Sequence, residues 1–241
     1  KSYEVFGDVS FDVTDRFELT GGLRYTKDEK TSGLIVEFPE GHSNVTFAGL
    51  FVQDTGGLIE SSDEFDALTW RVAAKYEVND TVNIYANAAS GRRPEVITAS
   101  ASNPTAGFTT LDAEVVDAFE AGVKSSLFDN QLNLNASVFY YDYSNFQTTE
   151  VNDQGLLEPI NAGDATAEGA EIELSFEPTD TFALTASYGY NKARFDDQVG
   201  APFSGNKLRL SPDQTASIAA KLIVDTPVGA LSLVPSATWQ S

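Results

Sequence analysis

Hydrophobic and polar residues alternate at every second position over much of the chain. In the stretch "FEAGVKSSLFDNQLNLNASVFYYDY", Phe119, Ala121 and Val123 alternate with Glu120, a glycine and a lysine, and the alternation resumes after "FDN". Such a period of two is typical of β-strands with one apolar face, and no helical spacing is sustained anywhere. Ten segments carry it, at about 3–13, 17–26, 68–76, 82–88, 119–127, 132–143, 170–176, 182–190, 214–224 and 230–240.

The connections between these segments alternate between short and long. Short turns built from Asp, Asn, Gly and Pro are predicted at Thr14, Asn79, Phe128, Pro178 and Thr226. Long connections are predicted at about 29–66, 91–113, 145–165 and 195–212. Hairpins therefore recur at intervals of about 50 residues, with short turns at one end and all long connections at the other.

Three architectures can hold such strands. A β-sandwich has strands of about five or six residues, and a propeller has four short strands per blade. A transmembrane β-barrel has strands of about 9 to 11 residues, short periplasmic turns, longer outer loops and aromatic residues near both interfaces. Aromatic residues lie near the predicted strand ends at Tyr25, Trp70, Tyr76, Tyr140, Tyr188, Tyr190 and Trp239. The pattern therefore predicts an all-β, antiparallel transmembrane barrel segment of about ten strands, with apolar residues facing lipid and polar residues facing the lumen.

Composition removes several kinds of site. The 241 residues include 36 acidic and 15 basic ones, a net charge of -21, which argues against nucleic acid as a partner. The absence of cysteine and the single histidine, His42, exclude thiolate metal sites and histidine clusters, and we expect no cofactor. No apolar run is long enough for a membrane-spanning helix. The chain opens in mid-strand without Met, so we expect a piece of a longer protein.

Three stretches resemble the barrel domain of TonB-dependent outer-membrane transporters. They are "FGDVSFDVTDRFELTGGLRYTKDEK" (6–30), the Glu-x-Gly-x-Lys hairpin "VVDAFEAGVKSSLFDNQLNLNASVFYYDYSNFQ" (115–147) and the Asn-Ala-Gly strand "NAGDATAEGAEIELSFEPTDTFALTASYGYNKARF" (161–195). The basic turn "SGRRPE" (90–95) is also similar to the family's pattern. The order of these motifs matches that of the family, and together they cover nearly all of the strand-bearing chain.

The resemblance implies a location and a function. Members of this family lie in the bacterial outer membrane and have a barrel of about 22 strands around an N-terminal plug. They take up scarce nutrients such as siderophore-bound iron, cobalamin or saccharides, driven by the inner-membrane protein TonB. We expect residues 1–241 to be a partial barrel domain, with the plug, the coupling box and the remaining strands outside it. Outer-membrane lipid and lipopolysaccharide are the further expected partners.

Two other functions compete with transport. A passive pore or a structural barrel partner would share the barrel and lack the plug. An omptin-type protease would need an Asp-His couple and paired carboxylates, but His42 lies in a long loop with only Glu40 close by, so we predict no enzyme activity. The acidic loop "QDTGGLIESSDEFD" does not have the spacing of a calcium loop.

Candidate ligand-binding residues lie on the predicted lumen face and at the feet of the outer loops. Glu120 and Lys124 either contact a ligand or form a charge ladder with neighbouring strands. Arg92 and Arg93 could meet an anionic ligand, loop carboxylates or lipopolysaccharide phosphates. The remaining candidates come from the aromatic stretch "YYDYSNFQ", whose rings either stack on a ligand or belong to the interfacial girdle: Tyr141, Tyr143, Asn145 and Gln147.

Overall fold

Strands account for nearly all regular structure among the residues that the structure describes. The computed structural model describes residues 1–38, 44–47, 50–99, 107–151, 155, 157–198 and 201–241, with the backbone alone described for 44–47 and 50–53. Among these residues there is no helix of the length and hydropathy that a membrane span requires. His42 lies outside the described residues.

Eleven strands form one antiparallel sheet in which neighbours in sequence are neighbours in space. The strands are β1 Ser2–Thr14, β2 Phe17–Leu34, β5 Ile59–Asn79, β6 Val82–Arg93, β9 Glu114–Leu127, β10 Leu132–Ser144, β13 Ala165–Thr179, β14 Phe182–Phe195, β15 Gln214–Thr226, β16 Gly229–Leu233 and β17 Ser236–Gln240. Their order in the sheet is β1-β2-β5-β6-β9-β10-β13-β14-β15-β16, and β17 pairs with β15 beside β16. This arrangement confirms the predicted succession of hairpins.

All five predicted tight turns join consecutive strands at one end of the sheet. The turn after β9 uses three residues in the left-handed region, Phe128, Asp129 and Asn130, with φ of 54°, 54° and 68°. Asp and Asn tolerate this conformation better than most residues because their side chains form local hydrogen bonds. The tight-turn end is therefore fixed by local sequence.

The strand register places the predicted apolar residues on one face. One continuous row crosses five strands, in which Ala86 lies opposite Ala121, Ala121 opposite Val138, Val138 opposite Ala170, and Ala170 opposite Tyr190. Large side chains on this face are exposed, and Val138, for example, is 57% exposed. A contiguous apolar face of this size normally contacts a partner or a membrane.

The apolar face has a definite height. On β10 it extends from Leu132 to Tyr140, about nine residues or about 30 Å of strand, and ends at Asp142. The predicted aromatic residues belong to this face, and both Trp70 and Tyr140 are partly exposed. Polar residues follow at the same boundary on neighbouring strands: Lys27, Asp66, Ser90, Asp117, Glu168, Lys192 and Gln214. The face therefore has the length of a tilted membrane-spanning strand, which needs about 9 to 11 residues.

Two strands run well past the lengths that alternation predicted. β2 continues to Leu34 and β5 begins at Ile59, so much of the predicted 29–66 connection is a hydrogen-bonded ladder. Polar cross-strand pairs hold it, including Thr31 with Ser62 at 2.8 Å between the hydroxyls. Three short hairpins occupy the first three long connections: β3 Asn44–Phe47 with β4 Leu50–Gln53, β7 Val96–Ala99 with β8 Phe108–Leu111, and β11 Gln147–Val151 with β12 Leu157–Asn161.

The last predicted segment is divided into β16 and β17. Both parts pair with β15, and the division falls at Val234 and Pro235. Proline has no N–H to donate to the ladder. Its carbonyl still accepts a hydrogen bond from the Ala220 N–H at 3.0 Å, so the path of the strand is kept.

Buried side chains gather at the long-connection end. The buried hydrophobic residues among those described are Ile97, Ala162, Ala165, Ala167, Ala193 and Phe195. None belongs to the apolar face of the sheet. No described residue therefore covers that face, while the other face and the outer connections share a small core.

Candidate functional site

A recess lies on the polar face of β10, β13 and β14, under the connection that follows β14. Four side chains of β10 point toward it at successive levels: Ser137, Phe139, Tyr141 and Tyr143. The cavity has a volume of about 980 Å³. We call it the aromatic basin, because it is lined by the three aromatic rings of β10 and by those of Phe146, Phe195 and Phe203.

Two rings on the polar face lie over glycines on the adjacent strand, and one of them, Phe139, lines the basin. Tyr85 is directly opposite Gly122, where a Cβ atom would approach the Tyr85 hydroxyl oxygen to 2.7 Å. Phe139 is directly opposite Gly169, where a Cβ atom would overlap the ring. The absence of a side chain at each glycine lets the neighbouring ring lie flat on the sheet.

The flat Tyr85 ring organises the predicted pair Glu120 and Lys124. Its hydroxyl donates to Glu120 Oε1 at 2.6 Å, and Lys124 Nζ lies 5.4 Å from the ring centroid. A cation over a tyrosine face is stabilised by the ring quadrupole. Glu120 and Lys124 therefore share a tyrosine partner from β6, and Glu120 also lines the basin.

The polar face is not polar along its whole height. At the level of Tyr141 the opposing residues on four strands are small, namely Ala89, Ala118, Ala167 and Ala193. Tyr141 stacks on Phe139 with ring centroids 5.0 Å apart and an interplanar angle of 22°. Of these alanines, Ala167 and Ala193 line the recess beside this pair of rings.

Aromatic contacts close the outer rim of the basin. Tyr143 and Phe195 both meet Phe146 edge-on, with centroid distances of 5.6 Å and 5.3 Å, and Phe203 stacks on Phe195 at 5.4 Å. Ala162 and Ala165 are buried against the same cluster. Tyr143, a predicted ligand contact, is thus also part of a small hydrophobic core.

Charge is divided between the floor and the rim of the basin. Glu120 and Glu171 lie at the floor, and Lys207 and Arg209 lie in the overlying connection. Lys207 is paired with Asp213 at 3.0 Å, while Arg209 is exposed. Rings and a few charged groups in a concave site provide both stacking and orientation for an organic ligand.

Arg92 and Arg93 lie at the foot of the outer connections and differ in their surroundings. The Arg92 side chain is 8% exposed and pairs with Glu95 and, at 4.0 Å, with Asp28 of β2. Arg93 is 60% exposed and lies 3.9 Å from Glu114. Loop and strand carboxylates are therefore the partners that the structure gives to Arg92.

Asn145 and Gln147 flank the start of β11. Asn145 has a φ of 55°, a left-handed conformation that asparagine tolerates, and its N–H donates to Asp164 Oδ1 at 3.1 Å. Gln147 is buried, and its amide nitrogen donates to the carbonyls of Pro94 and Asp112. Neither residue lines the basin, so their predicted ligand contact stays a prediction without a geometric basis.

Sequence reasoning missed several residues of the basin. Tyr85, Phe139, Glu171, Phe195 and Phe203 were not candidates, although they shape or line it. One signal was available, since Phe139 breaks the alternation as an aromatic residue at a polar-face position.

Within the described part of the chain, no group of three or more His, Cys, Asp or Glu side chains is placed to hold a metal ion.

Comparison with known proteins identifies the family. The model for the β-barrel of TonB-dependent receptor-like proteins matches residues 1–241. The chain belongs to this family. The resemblance of its hairpin motifs is therefore confirmed, as is the expected antiparallel sheet of about ten strands.

Sequence relatives of the chain are named as receptors. The pesticin receptor of Yersinia enterocolitica is 26% identical over 235 residues, covering 94% of this chain and 31% of the relative. The probable TonB-dependent siderophore receptor PiuA of Acinetobacter baumannii is 22% identical and covers 92% and 29%. The catecholate siderophore receptor Fiu of Escherichia coli is 24% identical over 202 residues, covering 80% and 26%. The chain thus spans about a third or less of the relatives' length.

Solved structures share the fold. The ferric yersiniabactin uptake receptor FyuA of Yersinia pestis superposes with a TM-score of 0.78 at 20% identity, over 98% of this chain and 33% of that one. The siderophore receptor PiuA gives 0.69 at 19% identity, over 99% and 33%. The fold of this chain is therefore also found in about a third of each of these receptors.

Proposed function

We propose that the chain is part of an outer-membrane receptor that takes up a metal-siderophore complex in a TonB-dependent manner. The observation that carries the proposal is the aromatic basin, a recess of about 980 Å³ on the polar face of the sheet, directly below the outer connections. In a barrel, this face lines the lumen and the long connections face the exterior.

The basin suits a bulky organic chelate. Its volume lies near the upper end of the range of about 300–1,000 Å³ for small-molecule sites. Phe139 and Tyr141 offer a stacked pair of rings beside the alanine-lined space, and Glu120 and Arg209 offer charges at opposite ends. The names of the relatives PiuA and Fiu also describe those proteins as siderophore receptors. We therefore favour a metal chelate over cobalamin or a saccharide.

The surroundings follow from the same proposal. The uncovered apolar face would contact outer-membrane lipid, and the polar row above it would meet lipopolysaccharide. A plug domain and the remaining strands would close the lumen, and TonB would supply energy from the inner membrane. Ligand captured by the basin and the outer connections would then pass inward when the plug rearranges.

Radioiron uptake tests this function directly. The full-length receptor is produced in a Gram-negative strain that lacks its own siderophore receptors, with and without TonB, and supplied with ferric yersiniabactin or a ferric catecholate. We expect uptake of at least one complex that depends on both the receptor and TonB. Equal uptake without TonB would favour a passive pore, and uptake of cobalamin or maltodextrin in place of either iron complex would replace the proposed ligand class.

Two adjacent tyrosines provide a matched pair of variants for this assay. Tyr141 faces the basin, whereas Tyr140 lies on the apolar face. Tyr141→Leu should lower the apparent affinity about tenfold or more, in line with the loss of about 1.4 kcal/mol of stacking and packing. Tyr140→Leu should leave it unchanged. Equal effects of the two variants would contradict the assignment of the basin as the capture site.

A further inference from the structure

Gln147 is one of two buried polar or charged residues among those described, the other being Asp28. It is 4% exposed and begins β11, where the chain leaves the main sheet. A buried polar side chain carries a desolvation penalty unless it forms hydrogen bonds. Its contacts therefore indicate what the residue does.

The Gln147 amide joins two connections that are distant in sequence. Its Nε2 donates to the carbonyl of Pro94 at 3.1 Å and to that of Asp112 at 2.8 Å. Pro94 follows β6 and Asp112 precedes β9, so one amide group bridges the feet of both strands to β11. Its Oε1 has no hydrogen-bond partner among the described residues, so the side chain acts through its two donated bonds.

The Gln147 backbone is held by the same two strands. Its N–H donates to Glu114 Oε2 at 2.7 Å, and its carbonyl accepts from Arg93 Nη1 at 3.1 Å. All four contacts therefore fix Gln147 against the outer ends of β6 and β9. These bonds are independent of the β11–β12 ladder, in which Gln147 is opposite Asn161.

The preceding residue, Phe146, joins Tyr143 to Phe195 in the outer aromatic cluster. Its N–H donates to the Gly163 carbonyl at 2.7 Å, and its carbonyl accepts from the Ala162 N–H at 2.8 Å. Strand β10 has already ended at Ser144, so the β10 ladder does not fix this ring. Phe146 is therefore held between the 162–163 segment on one side and the anchored Gln147 on the other.

We propose that Gln147 is a positioning residue that seats Phe146 in the wall of the aromatic basin. By tying β11 to the outer ends of β6 and β9, it sets the point from which the Phe146 ring reaches Tyr143 and Phe195. Strands β10 and β14 thus contribute the basin wall, but the contacts of Gln147 with β6 and β9 set the position of its Phe146 ring. This deepens the proposed function and rests on it for its biological meaning, whereas the geometry can be tested without any ligand.

The test places a nitrile reporter on the ring in question. p-Cyanophenylalanine is incorporated at position 146 of the full-length receptor in detergent, and its nitrile stretch reports whether the ring is in contact with water. Gln147→Met keeps the length of the side chain and removes both donated bonds. We expect the band to shift toward its value in water, and amide exchange at Phe146 and Ala162 to accelerate at least tenfold.

Controls separate positioning from general stability. Gln131→Met, in the exposed tight turn after β9, should change neither readout, and amides of Val123 and Val138 within the sheet should stay as protected as before in Gln147→Met. Gln147→Asn keeps the amide but withdraws it by one methylene, and it should give a smaller shift at the same sites.

An unchanged nitrile band in Gln147→Met, or faster exchange throughout the sheet, would overturn the proposal. Failure of both Gln147 variants to assemble, with Gln131→Met assembled, would overturn it too, since the role would then be global. Because neither readout uses a ligand, this proposal can fail while radioiron uptake stands.

Discussion

At the scale of single residues, the polar face of the sheet is shaped by rings that lie over glycines. Tyr85 over Gly122 brings a hydroxyl to Glu120, and Phe139 over Gly169 supplies the ring on which Tyr141 stacks. The sequence predicted that Glu120 and Tyr141 lie on this face. It did not predict their partners, because those lie on other strands and depend on a register that a single sequence does not contain.

Gly122 should not accept a side chain. In Gly122→Ala the new Cβ atom would lie 2.7 Å from both the Ala136 carbonyl oxygen and the Tyr85 hydroxyl oxygen. We expect the free energy of unfolding of the full-length protein to fall by about 1–3 kcal/mol, as is usual for overpacking. Urea unfolding in lipid vesicles measures it.

Gly21 provides the control for this substitution. It is also a strand glycine, but no heavy atom lies within 4 Å of the position that a Cβ atom would take there. Gly21→Ala should change the free energy of unfolding by less than about 0.5 kcal/mol, as surface substitutions do. A loss in Gly21→Ala as large as that in Gly122→Ala would show that close packing of Tyr85 is not the cause.

At the scale of strands, alternation identifies only the part of a strand whose two faces differ. The sheet segments that cross the apolar face were all predicted, whereas the outer parts of β2 and β5 were not. In these outer parts the residues on both faces of the hairpin are polar, for example the pair Thr31 and Ser62 on one face, so no period of two remains. Cross-strand polar contacts, including Lys27 with Glu64 at 2.7 Å, hold these parts together.

Arg92 should stabilise the junction between this extended hairpin and the foot of β7. Arg92→Met would leave the buried Asp28 carboxylate without its cation, and breaking a buried pair typically costs about 3–5 kcal/mol. We expect hydrogen exchange in the outer halves of β2 and β5 to accelerate about a hundredfold or more, measured by mass spectrometry on the full-length receptor.

Arg93 is the natural comparison for Arg92. Its side chain is 60% exposed, and exposed ion pairs contribute about 0–1 kcal/mol. Arg93→Met should therefore leave exchange in β2 and β5 close to that of the unchanged protein. A larger effect at Arg93 than at Arg92 would mean that the hairpin is anchored elsewhere.

At the scale of the whole molecule, the sheet has an apolar face that no part of the described chain covers. The buried hydrophobic residues lie at the long-connection end, and the apolar face has about the number of residues per strand that a membrane span needs. A net charge of -21 is compatible with a membrane location because acidic residues occupy the other face and the connections. The fold was predictable from sequence for this reason, since a lipid-facing strand must alternate along its length.

Cysteine scanning along β10 tests this central claim most directly, and the chain has no cysteine of its own. Single cysteines are placed from Asn133 to Val138 in the full-length receptor, labelled with a fluorophore and reconstituted with lipids that carry a quencher in their acyl chains. We predict strong quenching at Leu134, Ala136 and Val138, and weak quenching at Asn133, Asn135 and Ser137. Uniform quenching along β10, or the opposite phase, would contradict the account.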